Sequence, residues 1–101
     1  MRKQTIIEGS AQSGPIHHTA SDGRPWAVFT VDAGSWIRVV LFGAQAQRGA
    51  LPWLQRGAAV RCSGRISVRS GDVRNRGQQL QLELVTDDVQ PLAEPVGTVL
   101  R

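Results

Sequence analysis

A tryptophan, an arginine and a phenylalanine occupy alternate positions in the apolar segment WIRVVLFG, residues 36–43. Successive side chains of a β-strand point to opposite faces, so Trp36, Arg38 and Phe42 are predicted to share the outer face of a strand. Aromatic rings stack on nucleic-acid bases for about 1–3 kcal/mol each, and arginine pairs with phosphates and stacks on flat rings. This face could therefore bind a flexible single strand. Packing under a loop or at a subunit interface is the alternative interpretation.

A second candidate surface is a series of arginines between residues 58 and 77. Arg61, Arg65 and Arg69 recur every four residues, so they share one face of a predicted strand, about 13 Å from one to the next. Arg74 and Arg76 follow in a predicted hairpin tip, and the segment contains a single carboxylate. These charges predict phosphate binding, and a solvated face that discourages edge-to-edge strand pairing is the alternative. The opposite, apolar face of the strand contains Val60, Cys62, Ile66 and Val68.

Length and composition indicate one small cytoplasmic domain. The chain has 101 residues, enough to build a core of its own. Its formal net charge of +4 favours an anionic partner. Its single cysteine cannot form an internal disulfide. No segment has the pattern of a membrane span or a secretory signal. His17 and His18, Cys62 and the pair Asp87 and Asp88 lack partners at metal-ligand or catalytic spacing. We therefore expect neither an enzyme nor a cofactor.

The apolar alternation and the turn residues predict five strands, with a short helical segment between the third and the fourth. The strands are QTIIEG, PWAVFTV, WIRVVLFG, AAVRCSGRISVRS and QQLQLELV, and the helical segment is AQAQRGALPWLQR. Gly49 and Pro52 make that helix poor or broken, and Trp53 is predicted to close one end of the core. A short extended piece fits at 16–19. This order predicts an OB-fold, a five-stranded Greek-key barrel that binds oligonucleotides.

The chain is predicted to divide into an OB-fold domain over 1–86 and a short C-terminal tail over 87–101. The last predicted strand turns its leucines inward, and from Thr86 onward two prolines predict loose chain. An SH3-type barrel is the structural alternative, but it has no place for the thirteen residues that precede the fourth strand.

The chain resembles the bacterial single-stranded DNA-binding proteins over nearly its whole length. The densest match is WIRVVLFG followed by WLQRG, similar to the family's W-x-R-V-V-x-F-G and Y-L-x-K-G, with Trp53 and Arg56 in place of the tyrosine and the lysine. The resemblance implies an OB-fold that binds single-stranded DNA in replication, repair and recombination, associated with the nucleoid. It also implies a homodimer formed through the first strand, which can pair again into a homotetramer.

The resemblance transfers residue by residue to only part of the candidate surface. Trp36 and Phe42 match base-stacking aromatics of the family, and Arg38, Arg56 and Arg69 match basic positions near the DNA. The remaining candidates rest on the aromatic and charge arguments alone, and they are Trp26, Arg61, Arg65, Arg74 and Arg76. The connection DAGS is short where the family has a long loop that often contains a further stacking tryptophan. With fewer stacking rings and more arginines, binding is expected to depend more on phosphate contacts and therefore to be more sensitive to salt than in the family.

Two further functions remain open at this point. The chain ends at EPVGTVLR without the acidic tip that recruits partner proteins in the family, which puts that role in doubt. The first alternative is therefore a replication-restart factor like primosomal replication protein N, a tail-less dimeric relative, with replication or primosome proteins as partners. The second is an OB-fold protein–protein adaptor that binds no DNA. RNA remains an alternative to DNA as the bound strand.

Overall fold

Six β-strands and one short 3-10 turn make up the described part of the protein, which in this computed structural model comprises residues 4–70 and 80–92. The strands are β1 (Thr5–Ala11), β2 (Ile16–Thr19), β3 (Pro25–Asp32), β4 (Trp36–Phe42), β5 (Ala59–Ser70) and β6 (Leu80–Pro91). The predicted all-β class is confirmed. Of the candidate residues, Arg74 and Arg76 lie outside the described residues, and Arg69 is described by its backbone alone.

The strands form one sheet that closes on itself. Their order is β1-β5-β6-β4-β3-β2, and β1 also pairs with β3 through Ser10 opposite Asp32 and Ala11 opposite Val31. The pairing of β4 with β6 is parallel, and the other pairings are antiparallel. Closure between β1 and β3 makes the five-stranded barrel predicted from the sequence. The additional strand β2 is the short extended piece expected at 16–19, and it lengthens the sheet beside β3.

The core of the barrel is built from one face of each long strand. In β4, the three side chains predicted to face the core, Ile37, Val39 and Leu41, are all buried. Trp53 packs against this core and stays half-buried, in keeping with its predicted place at one end of the barrel. The largest fully buried side chains are Phe29, Leu41, Leu84, Val31, Val39, Val60, Val89 and Cys62.

The predicted helical segment is reduced to a 3-10 turn at Ala44–Ala46, followed by irregular turns. Gly43 and Gly49 have φ values of 88° and 81°, a left-handed backbone that glycine adopts easily but that ends a helix. The Nδ1 of His17 donates to the carbonyl oxygen of Ala46 at 3.0 Å, which ties this turn to β2. No helix within the described ranges is long and apolar enough to cross a membrane.

One expectation about the last strands is wrong. The chain is not loose from Thr86, because β6 continues to Pro91 and pairs there with Val60 of β5. On the apolar face of β5, Val60 and Cys62 are buried, whereas Ile66 and Val68 are exposed. The described part of β1 begins at Thr5, opposite Gly64, so no described strand covers β5 on that side beyond Gly64. Among the described strands, the second half of β5 therefore pairs with β6 alone, while the facing part of β6 also pairs with β4.

Candidate nucleic-acid interface

The outer face of β4 has an exposed aromatic ring at each end. Trp36 is 65% exposed and Phe42 is 43% exposed. They lie six positions apart, which is about 20 Å along a strand. Trp36 begins β4 opposite Asp32, and Arg38 lies between the two rings. The sequence pattern placed all three side chains on this face. Their separation means that the two rings cannot hold the same base.

A row of three aromatic rings crosses the sheet at the Phe42 end. His18 is paired with Trp26, and Trp26 is paired with Phe42, in the registers of β2 with β3 and of β3 with β4. The ring centroids are 4.3 Å apart between His18 and Trp26 and 6.4 Å apart between Trp26 and Phe42, with interplanar angles of 21° and 27°. Sequence reasoning missed His18, because its place beside Trp26 depends on a register that no local pattern specifies.

Two cavities lie on either side of Phe42. The first, called the hairpin cavity, has a volume of about 500 Å³ and is lined by Ala20, Asp22, Arg24, Pro25, Trp26, Phe42, Gly43 and Gln47. The second, called the sheet cavity, has a volume of about 300 Å³ and is lined by Gln4, Phe42, Ser63, Gly64, Arg65, Val85, Thr86 and Asp87. The ring of Phe42 therefore stands between two concave surfaces on the same side of the sheet.

Two of the candidate arginines are paired with carboxylates on neighbouring strands. Arg38 Nε lies 3.2 Å from Glu83 Oε2, across the register of β4 with β6. Arg61 Nη2 lies 2.6 Å from Glu8 Oε2, across the register of β5 with β1. The sequence segment around the arginines contains few carboxylates, as expected. The carboxylates that pair with Arg38 and Arg61 come instead from β6 and β1, which are distant in sequence. The positive charge available to a phosphate is smaller at these two positions.

Arg65 and Arg56 keep their charge free of such partners. Both are exposed, and neither forms an ion pair with another residue of the described ranges. Arg65 lines the sheet cavity beside Phe42. Arg56 lines neither cavity and lies in the turn before β5, where the next residue, Gly57, donates from its backbone N–H to the carbonyl of Ala11. Of these two arginines, Arg65 is thus the one placed beside the aromatic row, at Phe42.

Cys62 is buried in the core of the barrel. Burial, with a further contribution from the charge of Asp88, raises the pKa of the Cys62 thiol to about 12, so this thiol stays protonated and unreactive at neutral pH. Within residues 4–70 and 80–92, no three His, Cys, Asp or Glu side chains form a group that could hold a metal ion. The surface offers flat rings, concave spaces and guanidinium groups, which suit stacking and anion binding.

The architecture is shared with solved structures of single-stranded DNA-binding proteins. The small single-stranded DNA-binding protein of Streptomyces coelicolor matches with a TM-score of 0.71 and 18% identity, over 90% of this chain and 94% of that chain. The Plasmodium falciparum SSB in complex with ssDNA matches with a TM-score of 0.69 and 15% identity, over 91% and 96%. No protein-family model and no curated protein sequence matches the chain. The chain therefore has the OB fold of the single-stranded DNA-binding proteins, which confirms the predicted fold.

Proposed function

We propose that this protein binds single-stranded DNA without turnover and with little dependence on base sequence. The observation that carries the proposal is the outer face at Phe42, where an exposed ring stands between two cavities. Beside it lies the guanidinium of Arg65, which pairs with no carboxylate of the described residues. Stacking on rings is sequence-tolerant because every base has a flat face, and free guanidinium groups attract phosphates. The shared fold with an SSB solved in complex with ssDNA adds support.

The bound strand crosses the sheet rather than following β4. It passes from the hairpin cavity over Phe42 into the sheet cavity, where Arg65 neutralises a phosphate. Trp36, about 20 Å away along β4, supplies a separate stacking position. Arg38 and Arg61 contribute less than their charge suggests, because each is held by a carboxylate. Further phosphate contacts come from Arg56, Arg69, Arg74 and Arg76.

The protein acts as a homodimer formed through β1, in DNA replication, repair and recombination. Within the described residues, β1 pairs with β5 along Thr5–Ser10 but meets β3 only at Ser10 and Ala11. Its other edge is therefore open to a strand of a second copy. Ile6 on this strand is 62% exposed, and burying such a side chain stabilises an interface.

Intrinsic tryptophan fluorescence on titration with poly-dT tests the proposal. We expect quenching that weakens as salt rises and that is much smaller with duplex DNA, because duplex bases cannot reach the rings. The variant Trp36→Phe should lose part of the quenching, whereas Trp53→Phe, which removes a half-buried ring at the core, should keep it. Absence of both quenching and binding at low salt would instead favour the protein–protein adaptor.

A further inference from the structure

We propose that the hairpin cavity is a nucleobase subsite that prefers bases carrying amino donors, guanine above all, over thymine. The inference rests on the single-stranded DNA binding proposed above and deepens it. It assigns a base preference to one position of a surface whose other contacts are sequence-tolerant. The argument has three parts, which are the walls of the cavity, the polar groups that line it and the hydrogen-bonding edges of the four bases.

The walls of the cavity are aromatic and held in place. Trp26 and Phe42 line it, and the Trp26 ring is backed by the ring of His18 at 4.3 Å. A ring already fixed by its neighbours loses little side-chain freedom when a base stacks on it. The volume of about 500 Å³ falls in the range of about 300–1,000 Å³ typical of small-ligand pockets. An unstacked base therefore fits this cavity in both size and chemistry.

The polar lining includes a carboxylate, Asp22, which is paired with Arg24 at the exposed rim of the cavity. Asp22 accepts the backbone N–H of Arg24 on Oδ1 at 3.1 Å and the Nε of Arg24 on Oδ2 at 2.8 Å. These hydrogen bonds from Arg24, the backbone one first, lower the pKa of Asp22. An ionised carboxylate only accepts hydrogen bonds, and each oxygen has about two acceptor positions. One position on each oxygen is occupied by Arg24, which leaves one on each for a ligand.

The four bases present different edges to such an acceptor. Guanine offers a ring N–H and an exocyclic amino group side by side, which match the two oxygens of Asp22. Cytosine and adenine each offer one amino group, and carboxylates accept from the amino group of cytosine in known complexes. Thymine places its single ring N–H between two carbonyl oxygens, which the carboxylate repels. The amide of Gln47, which also lines the cavity, can donate or accept beside this contact.

The test compares two oligomers on three proteins. The oligomers, of about 12 nucleotides, which is within the site sizes of OB-folds, are all-thymine or have guanine at every third position. The proteins are the wild type, Asp22→Asn and the matched control Asp32→Asn. Asp32 is also exposed and accepts the backbone N–H two residues on, from Gly34 at 3.1 Å, but it lines a different part of the surface. Both variants lose the same charge.

We expect the wild type to bind the guanine-containing oligomer about fivefold or more tightly than the all-thymine one. Asp22→Asn should bring that ratio close to one, and Asp32→Asn should keep the wild-type ratio. Comparing ratios between proteins cancels the different self-stacking of the two oligomers. Equal wild-type affinities, or the same change of ratio in both variants, overturn the base preference and leave the proposed function standing. No binding of either oligomer at low salt overturns the proposed function itself.

Discussion

Three tryptophans in this chain have three different surroundings. Trp36 projects from the start of β4, Trp26 stacks on His18 and lies beside Phe42, and Trp53 rests against the core. A ring that projects into solvent can accept a base without displacing anything. A ring that packs on the core contributes to stability instead. Substitution should therefore separate binding from folding at these positions.

Trp36→Ala should weaken the binding of an oligo-dT by about 1–3 kcal/mol, the usual contribution of one stacked base. It should leave the free energy of unfolding nearly unchanged, because the ring is exposed. Fluorescence anisotropy of a labelled oligomer measures the affinity, and urea unfolding measures the stability. Trp53→Ala serves as the contrast, with lower stability as its main effect. A folded Trp36→Ala protein of unchanged affinity would remove Trp36 from the binding site.

The ion pair of Arg38 with Glu83 limits the positive charge on the outer face of β4. Glu83→Gln should tighten DNA binding, because it frees the guanidinium for a phosphate. The slope of log affinity against log salt should steepen by about 0.7 for one added phosphate contact. Glu8→Gln is the matched control, since it removes the same charge but frees Arg61 on β5, away from the two exposed rings of β4. An equal gain in both variants would mean that net charge, not the position of Arg38, determines affinity.

At the scale of elements, the antiparallel pairing of β5 with β6 contains a shift of register between Ser63 and Gly64. Thr86 is buried there, donates through its hydroxyl to the carbonyl of Ser63 and accepts the backbone N–H of Asp88 at 2.9 Å. A side chain at Gly64 would collide with the carbonyl of Val85. Past this close approach, β6 continues to Pro91, beyond the boundary expected from the sequence.

Gly64→Ala should destabilise the fold by about 1–3 kcal/mol, the usual cost of forcing atoms into a packed interior. The midpoint of urea unfolding measures this change. Gly14→Ala is a suitable comparison, because its added methyl would meet only the carbonyl of Leu54 at the ordinary distance of 3.5 Å. Similar midpoints for both variants would contradict the close approach at Gly64.

For the molecule as a whole, the open edge of β1 predicts how copies assemble. Ile6→Glu should shift the protein from dimer to monomer in sedimentation-velocity experiments, because a charge replaces an apolar side chain at the proposed interface. Ile16→Glu is the matched control, since Ile16 is exposed to a similar degree, 61%, but lies on β2. A wild type that sediments as a monomer, or equal dissociation by both variants, would contradict assembly through β1.

The alternation of side chains determined much of this protein directly from its sequence. The all-β class, the succession of the five long strands along the chain and the outer-face positions of Trp36, Arg38 and Phe42 follow from a period of two, which any short segment carries by itself. The weakness of the segment between β4 and β5 as a helix also follows locally, from Gly49 and Pro52. Each of these features depends on residues that are close together in the chain.

Only the tertiary structure decided which side chains meet across strands. The pairs Arg38 with Glu83 and Arg61 with Glu8 join residues 45 and 53 positions apart, and the row of rings requires the registers of three strands at once. A strand pattern indicates the face of a residue but not its partner, because register is set by turns, bulges and closure of the barrel. For the same reason, the length of β6 and the exposure of Ile66 and Val68 became visible only in the folded barrel.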